Sequence, residues 1–141
     1  MPTIITQKEV NKAKRQHYKT TQPSSVQTTL QTKVLRQYCY SLSEWRNLRF
    51  TYFASHPLDE LSLLIDEVES AEDVHHLISP FQTGKNLQEI LTLLLDPDNL
   101  ISLSKKHHGI IHGHPEELTE IEKEYLQKRI DAVREKYGWR F

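Results

Sequence analysis

The run PEELTEIEKEYLQKRIDAVREKY, residues 115–137, decides how the rest of the chain must be read. Leu118, Ile121, Tyr125, Leu126, Ile130, Val133 and Tyr137 recur at intervals of mostly three and four, which puts them on one stripe of a 3.6-residue helix. Pro115 suits a first helical turn, where its missing N–H is not needed, and Gly138 suits the left-handed residue after a last turn. Glu116, Glu117 and Glu120 lie near the positive end of the helix dipole, and Arg134 and Lys136 near its negative end. Such a helix would run roughly 35 Å at about 1.5 Å per residue. It cannot bury its own stripe, so the upstream chain must supply the opposite wall. Trp139 and Phe141, following Gly138, are expected to fold back as an apolar clasp.

Upstream, Ser24 with Gln27 and Ser41 with Glu44 have capping-box spacing. The first opens a helix lined by Val26, Leu30, Val34, Leu35 and Tyr38. The second opens one carrying Trp45, Leu48, Tyr52 and Phe53, which His56-Pro57 terminates. Leu58, Leu61, Leu64, Ile65 and Val68 read as a further helix, with a short one from Ala71 to Ile78. A leucine-rich helix follows from Leu87 to Leu95, then a turn at Asp96-Pro97-Asp98. Leu100, Ile101 and Leu103 read as another short helix, and only Gly109 to His112 suggests a brief extended piece. Residues 58–66 (LDELSLLID) resemble residues 87–96 (LQEILTLLLD), an echo too short for a solenoid. The expectation is an all-α fold: a compact bundle of six or seven helices over 24–141 with a long C-terminal helix, preceded by a flexible basic arm, 1–23.

At 141 residues, 26% of them charged, with a net charge of −1, the chain has room for one ordinary domain. Its charge is segregated. Lys8, Lys12, Lys14, Arg15, Lys19, Lys33 and Arg36 stand against Glu9 alone in residues 1–36, whereas residues 57–100 carry acidic groups opposed only by Lys85. No apolar run approaches the roughly 20 residues of a membrane helix, no secretory signal pattern opens the chain, and a lone Cys39 excludes an internal disulfide. These features point to a cytoplasmic protein.

Candidate chemistry is sparse. Four glycines without a GxGxxG or Walker pattern argue against nucleotide-dependent catalysis. His107, His108, His112 and His114 crowd together, and His108, His112 and His114 with Glu117 offer a ligand set of the kind zinc or nickel accepts. A connector holding Gly109 and Gly113 lacks a rigid frame for ligands, so no stoichiometric metal and no cofactor are expected. His75-His76 read as a partly exposed pair, one ring toward the core edge. Lys8, Lys12, Lys14, Arg15 and Lys19 form a candidate nucleic-acid contact, and Asp66, Glu67, Glu69, Glu72 and Asp73 a candidate protein-binding face.

Together these residues favour a non-catalytic helical protein that acts by binding another macromolecule, most simply a protein, as an adaptor or regulator. A nucleic-acid-associated protein using the basic arm is the alternative. A histidine-based metal-binding protein or metalloenzyme is the second alternative. A homodimer through the C-terminal helix is a further arrangement the stripe permits.

Overall fold

The computed structural model describes residues 25–141, with side chains from Thr32 onward. The basic arm, including Lys8, Lys12, Lys14, Arg15 and Lys19, lies outside the described residues. In chain order the elements are α1 (Ser25–Ser41), α2 (Ser43–Ser55), β1 (Asp73–His76), α3 (Leu87–Leu94), β2 (Leu100–Leu103), α4 (Lys105–Gly113) and α5 (Glu120–Lys136). Single 3-10 turns occupy Ser62–Ile65, Pro97–Asn99 and Pro115–Glu117. The all-α expectation of six or seven helices is therefore overturned: the described residues form five α-helices and a two-stranded antiparallel sheet, a mixed α/β fold.

The described chain divides into two compact units. One takes the residues up to Leu48 together with Ser79–Leu95, and the other takes Arg49–Ile78 and Asp96–Phe141. In the first, Cys39, Leu42, Trp45, Leu87, Ile90, Leu91, Leu93 and Leu94 are buried. Asn86 and Glu89 close a reciprocal capping box at the start of α3. Tyr40 packs edge-on to Phe81, with Arg36 over the same ring. Burial pushes the Cys39 thiol up to about 12, so it behaves as a small apolar residue.

The second unit is built on the strand pair that the helical reading missed. Asp73, Val74, His75 and His76 pair with Leu103, Ser102, Ile101 and Leu100. All of β2 is buried, Ser102 included, and a strand buried on both faces has no in-out alternation to betray it. The ladder is extended by a side chain: Asn99 Oδ1 accepts from Ile78 N at 2.8 Å while Asn99 Nδ2 donates to Ile78 O at 2.9 Å. Leu77 N donates to Asn99 O at 2.8 Å.

The other edge of β2 is closed by residues expected on a helix. Glu60 N donates to Ser102 O at 3.0 Å, and Ser102 N donates to Glu60 Oε2 at 2.6 Å. Arg129 donates to Leu100 O at 2.6 Å, with the Tyr52 hydroxyl within 2.9 Å of the same oxygen. Ser104 N donates to Asp59 Oδ2 at 2.6 Å. Buried backbone groups need partners, and Asp59 and Glu60 supply them only if residues 57–70 leave the helical path. Leu58 makes an isolated bridge to Ser70 instead.

Leu61, Ile101, Leu103 and Leu118 form the core, with Leu64, Leu77, Ile110, Ile111, Tyr125 and Leu126 packed against it. The 115–137 helix is shorter than expected. Pro115–Glu117 is one 3-10 turn, Leu118 is extended, and Thr119 caps α5 in a reciprocal box with Glu122. The box rotates Glu122 onto the buried face and leaves Ile121 outside, 55% exposed. After the helix, Gly138 and Trp139 both adopt positive φ. Trp139 is 61% exposed and does not clasp the domain, whereas Phe141 meets the Tyr137 ring edge-on.

Candidate metal centre

Residues 105–113, expected as a glycine-rich connector, form helix α4. Ser104 caps it, its hydroxyl accepting from His107 N at 3.2 Å. Gly109 sits inside this helix and the expected extended piece at Gly109–His112 is absent. On a helix, residues four apart share a face, so His108 and His112 project together. Antiparallel pairing sets His75 beside Ile101 and Asp73 beside Leu103, and residues two apart on a strand share a face. That face is turned to α4.

Three imidazoles therefore meet. The His75 and His112 rings lie 4.8 Å apart at 81°, His108 and His112 4.6 Å apart at 72°, and His75 and His108 5.3 Å apart at 59°. One ring nitrogen from each of the three lies within 4.8 Å of the others. Around a tetrahedral zinc with Zn–N of about 2.0–2.1 Å, neighbouring nitrogens stand about 3.3 Å apart.

Nδ1 of His108 is 2.9 Å from Asp73 Oδ2, so Nε2 is the nitrogen that would face an ion. This is the carboxylate–histidine arrangement that orients metal-binding imidazoles. The ring nitrogens of His75 and His112 have no hydrogen-bonding partner among the described residues. Burial, reinforced by the neighbouring His112, His108 and His76, lowers His75 to about 4 despite the nearby Asp73. His75 is thus neutral at pH 7, the form that binds metals. His112 is exposed and His108 partly so, which leaves solvent access to one side of the cluster.

A second group lies deeper. Asp59 Oδ2 is 2.8 Å from His107 Nδ1, and Glu122 Oε2 is 2.9 Å from His107 Nε2. Ligand atoms of Asp59, Glu69 and His107 also fall within 4.8 Å of one another. However, Asp59 already accepts from Ser62 N and Ser104 N at 2.7 and 2.6 Å, and Glu122 Oε1 accepts from Thr119 N at 2.8 Å. Burial alone would raise the Asp59 carboxyl; the Ser104 and Ser62 amides, the Ser104 hydroxyl and His107 outweigh it and hold it below its ordinary value. Its lone pairs are engaged, so this group is a structural knot joining the 59–62 turn, α4 and α5.

The residues singled out from the sequence are redistributed accordingly. His108 and His112 come together, but their third partner is His75. His114 lies 3.3 Å from Glu116 in an exposed pair, and Glu117 is exposed in the 3-10 turn. Of the acidic face, Asp73 is drawn to His108 and Glu69 stands beside Asp59 and His107. Asp66, Glu67 and Glu72 are exposed. The contribution of His75 was hidden because a helical reading of 71–78 gives no reason for that ring to point at residue 108.

Compared with protein-family models, curated proteins and solved structures, the chain matched none of the three. No helix among the described residues is long and apolar enough to cross a membrane.

Proposed function

We propose that this protein binds one divalent transition-metal ion, zinc foremost, through His75, His108 and His112. The observation that carries the reading is the convergence of three ring nitrogens within 4.8 Å from two regular elements, a strand and a helix. Ligands on regular elements are held more firmly than ligands on a connector. Imidazole-only sites favour zinc, copper or nickel over magnesium or calcium, which prefer oxygen. Asp73 positions His108, and nothing in this reading uses His114 or Glu117.

The test is zinc titration of the full chain by isothermal calorimetry, with metal analysis after gel filtration. One zinc per chain is expected, lost in His75→Ala and His112→Ala and kept in His114→Ala. Zinc retained undiminished by both of the first two variants would sink the proposal.

A second reading, binding of another macromolecule, is supported by a different place. Leu63, Ile65 and Val68 are 45%, 49% and 73% exposed beside the exposed carboxylates of Asp66 and Glu67. Apolar side chains framed by acids suit a basic, amphipathic protein segment. Reduced capture of such a partner by Val68→Asp would support it, and unchanged capture would count against it. A reducing, cytoplasmic setting agrees with the buried free thiol of Cys39.

A further inference from the structure

We infer that zinc held by His75, His108 and His112 acts on substrate: its bound water attacks activated acyl esters, so the centre is hydrolytic and not merely structural. The inference rests on the metal-binding reading above and adds a chemistry to it.

Structural zinc sites are closed by four protein ligands, whereas catalytic sites use three and keep a position for water. Among the described residues, three ligand atoms converge in this cluster. The nearby carboxylate of Asp73 is taken by His108 Nδ1 at 2.9 Å and serves to orient that ring. All three ligands come from one strand and one helix, and one of them, His112, is exposed to solvent. The ligand set is also neutral. Three imidazoles leave the full dipositive charge on the ion, the condition under which zinc-bound water ionises near pH 7.

The step balances without an oxidant. Bound water releases a proton to solvent, and the resulting hydroxide oxygen forms a bond to the ester carbonyl carbon. The carbon–oxygen bond to the leaving group breaks, and the leaving oxygen departs with the electron pair. The carboxylic product leaves as a new water binds. With Asp73 engaged by His108, no acid is assigned to protonate the leaving oxygen. The substrate class is therefore esters whose leaving group is a stable anion, such as a phenolate, and not unactivated alkyl esters.

The experiment is hydrolysis of p-nitrophenyl acetate by the full, zinc-loaded chain, compared with equimolar free zinc and with the chelator-treated protein. The expected rate follows zinc occupancy, exceeds both controls, and rises with pH through an inflection near 7. His112→Ala should remove both zinc and rate. Asp73→Asn, measured at saturating zinc, should keep the metal and move the inflection to lower pH, because the carboxylate no longer adds electron density through His108. A rate unchanged by chelation would assign the hydrolysis to surface imidazoles and overturn the inference. Stoichiometric zinc with no rate above free zinc would overturn it while leaving the metal-binding reading intact. No zinc bound at all would overturn both.

Discussion

Asp73 on β1 and His108 on α4 are 35 positions apart, and their side chains meet at 2.9 Å. The contact ties the outer strand of the sheet to the helix that carries two of the three clustered imidazoles. It is partly exposed on both sides, so as an ion pair it adds little stability, and its value lies in orientation. A ligand that binds only the folded form stabilises it by mass action, about 2.7 kcal/mol at a hundredfold excess over Kd. Scanning calorimetry with zinc should show that rise, and magnesium at the same concentration should not.

Leu103→Ala should cost about 2–5 kcal/mol, as expected for a leucine fully buried in a packed core. Ile121→Ala should stay within about 0.5 kcal/mol, because that side chain lies on the solvent side of α5. Urea denaturation of the two variants checks both. A large loss for Ile121→Ala would indicate that an interface covers it.

Asp59→Ala removes the acceptor of the Ser62 and Ser104 amides and the Nδ1 partner of His107. All lie in buried surroundings, so a loss of about 3–5 kcal/mol is expected. Equilibrium unfolding at pH 7 measures it.

The Asp96 carboxyl would be raised by its burial, but hydrogen bonds from Tyr137, Lys136 and Asp98 N outweigh that and lower it. In the unfolded chain an aspartate titrates near its reference value of about 3.9. The native state therefore holds fewer protons in the acid range, and stability falls as pH drops below about 4 through the folded value. Asp96→Asn should be about 1–3 kcal/mol less stable at pH 7 and show a shallower loss in acid. Thermal melts between pH 2 and 7 decide it; identical slopes would count against the assignment.

His75, lowered to about 4 by burial and its neighbouring imidazoles, should stay neutral by NMR through pH 5 in the metal-free protein. An unfolded histidine takes up its proton near about 6.5. Between that pH and about 4 the unfolded chain binds more protons than the native one, so this group makes stability fall as pH is lowered. His75→Gln should reduce that part of the pH dependence.

What the sequence disclosed was whatever depended on short-range signals. The end of α2 before His56-Pro57 and the leucine-rich α3 were readable from proline placement and three-four spacing. Thr119 and Glu122 also announce the true start of α5, a capping box outweighed by the longer apolar stripe around it. The similar strings 58–66 and 87–96 show where such reading stops. The second contains α3, while the first holds only a 3-10 turn, because Asp59 and Glu60 bond to β2 and Ser104 some 40 residues away. The imidazole cluster was half visible for the same reason. His108 and His112 follow from helical spacing, but His75 joins them only once β1 is paired with β2.

The exposure of Trp139 bears on how the molecule can be observed. The chain has two tryptophans: Trp45, 6% exposed, in one compact unit, and Trp139, 61% exposed, in the other. An indole already in water changes its emission little on denaturation, so intrinsic fluorescence follows Trp45 and the unit without the imidazoles. Circular dichroism and calorimetry sample both. Agreement between the optical and calorimetric transitions would mean cooperative melting of the whole, and a zinc-dependent shift seen by calorimetry alone would locate the bound ion in the unit that fluorescence does not see.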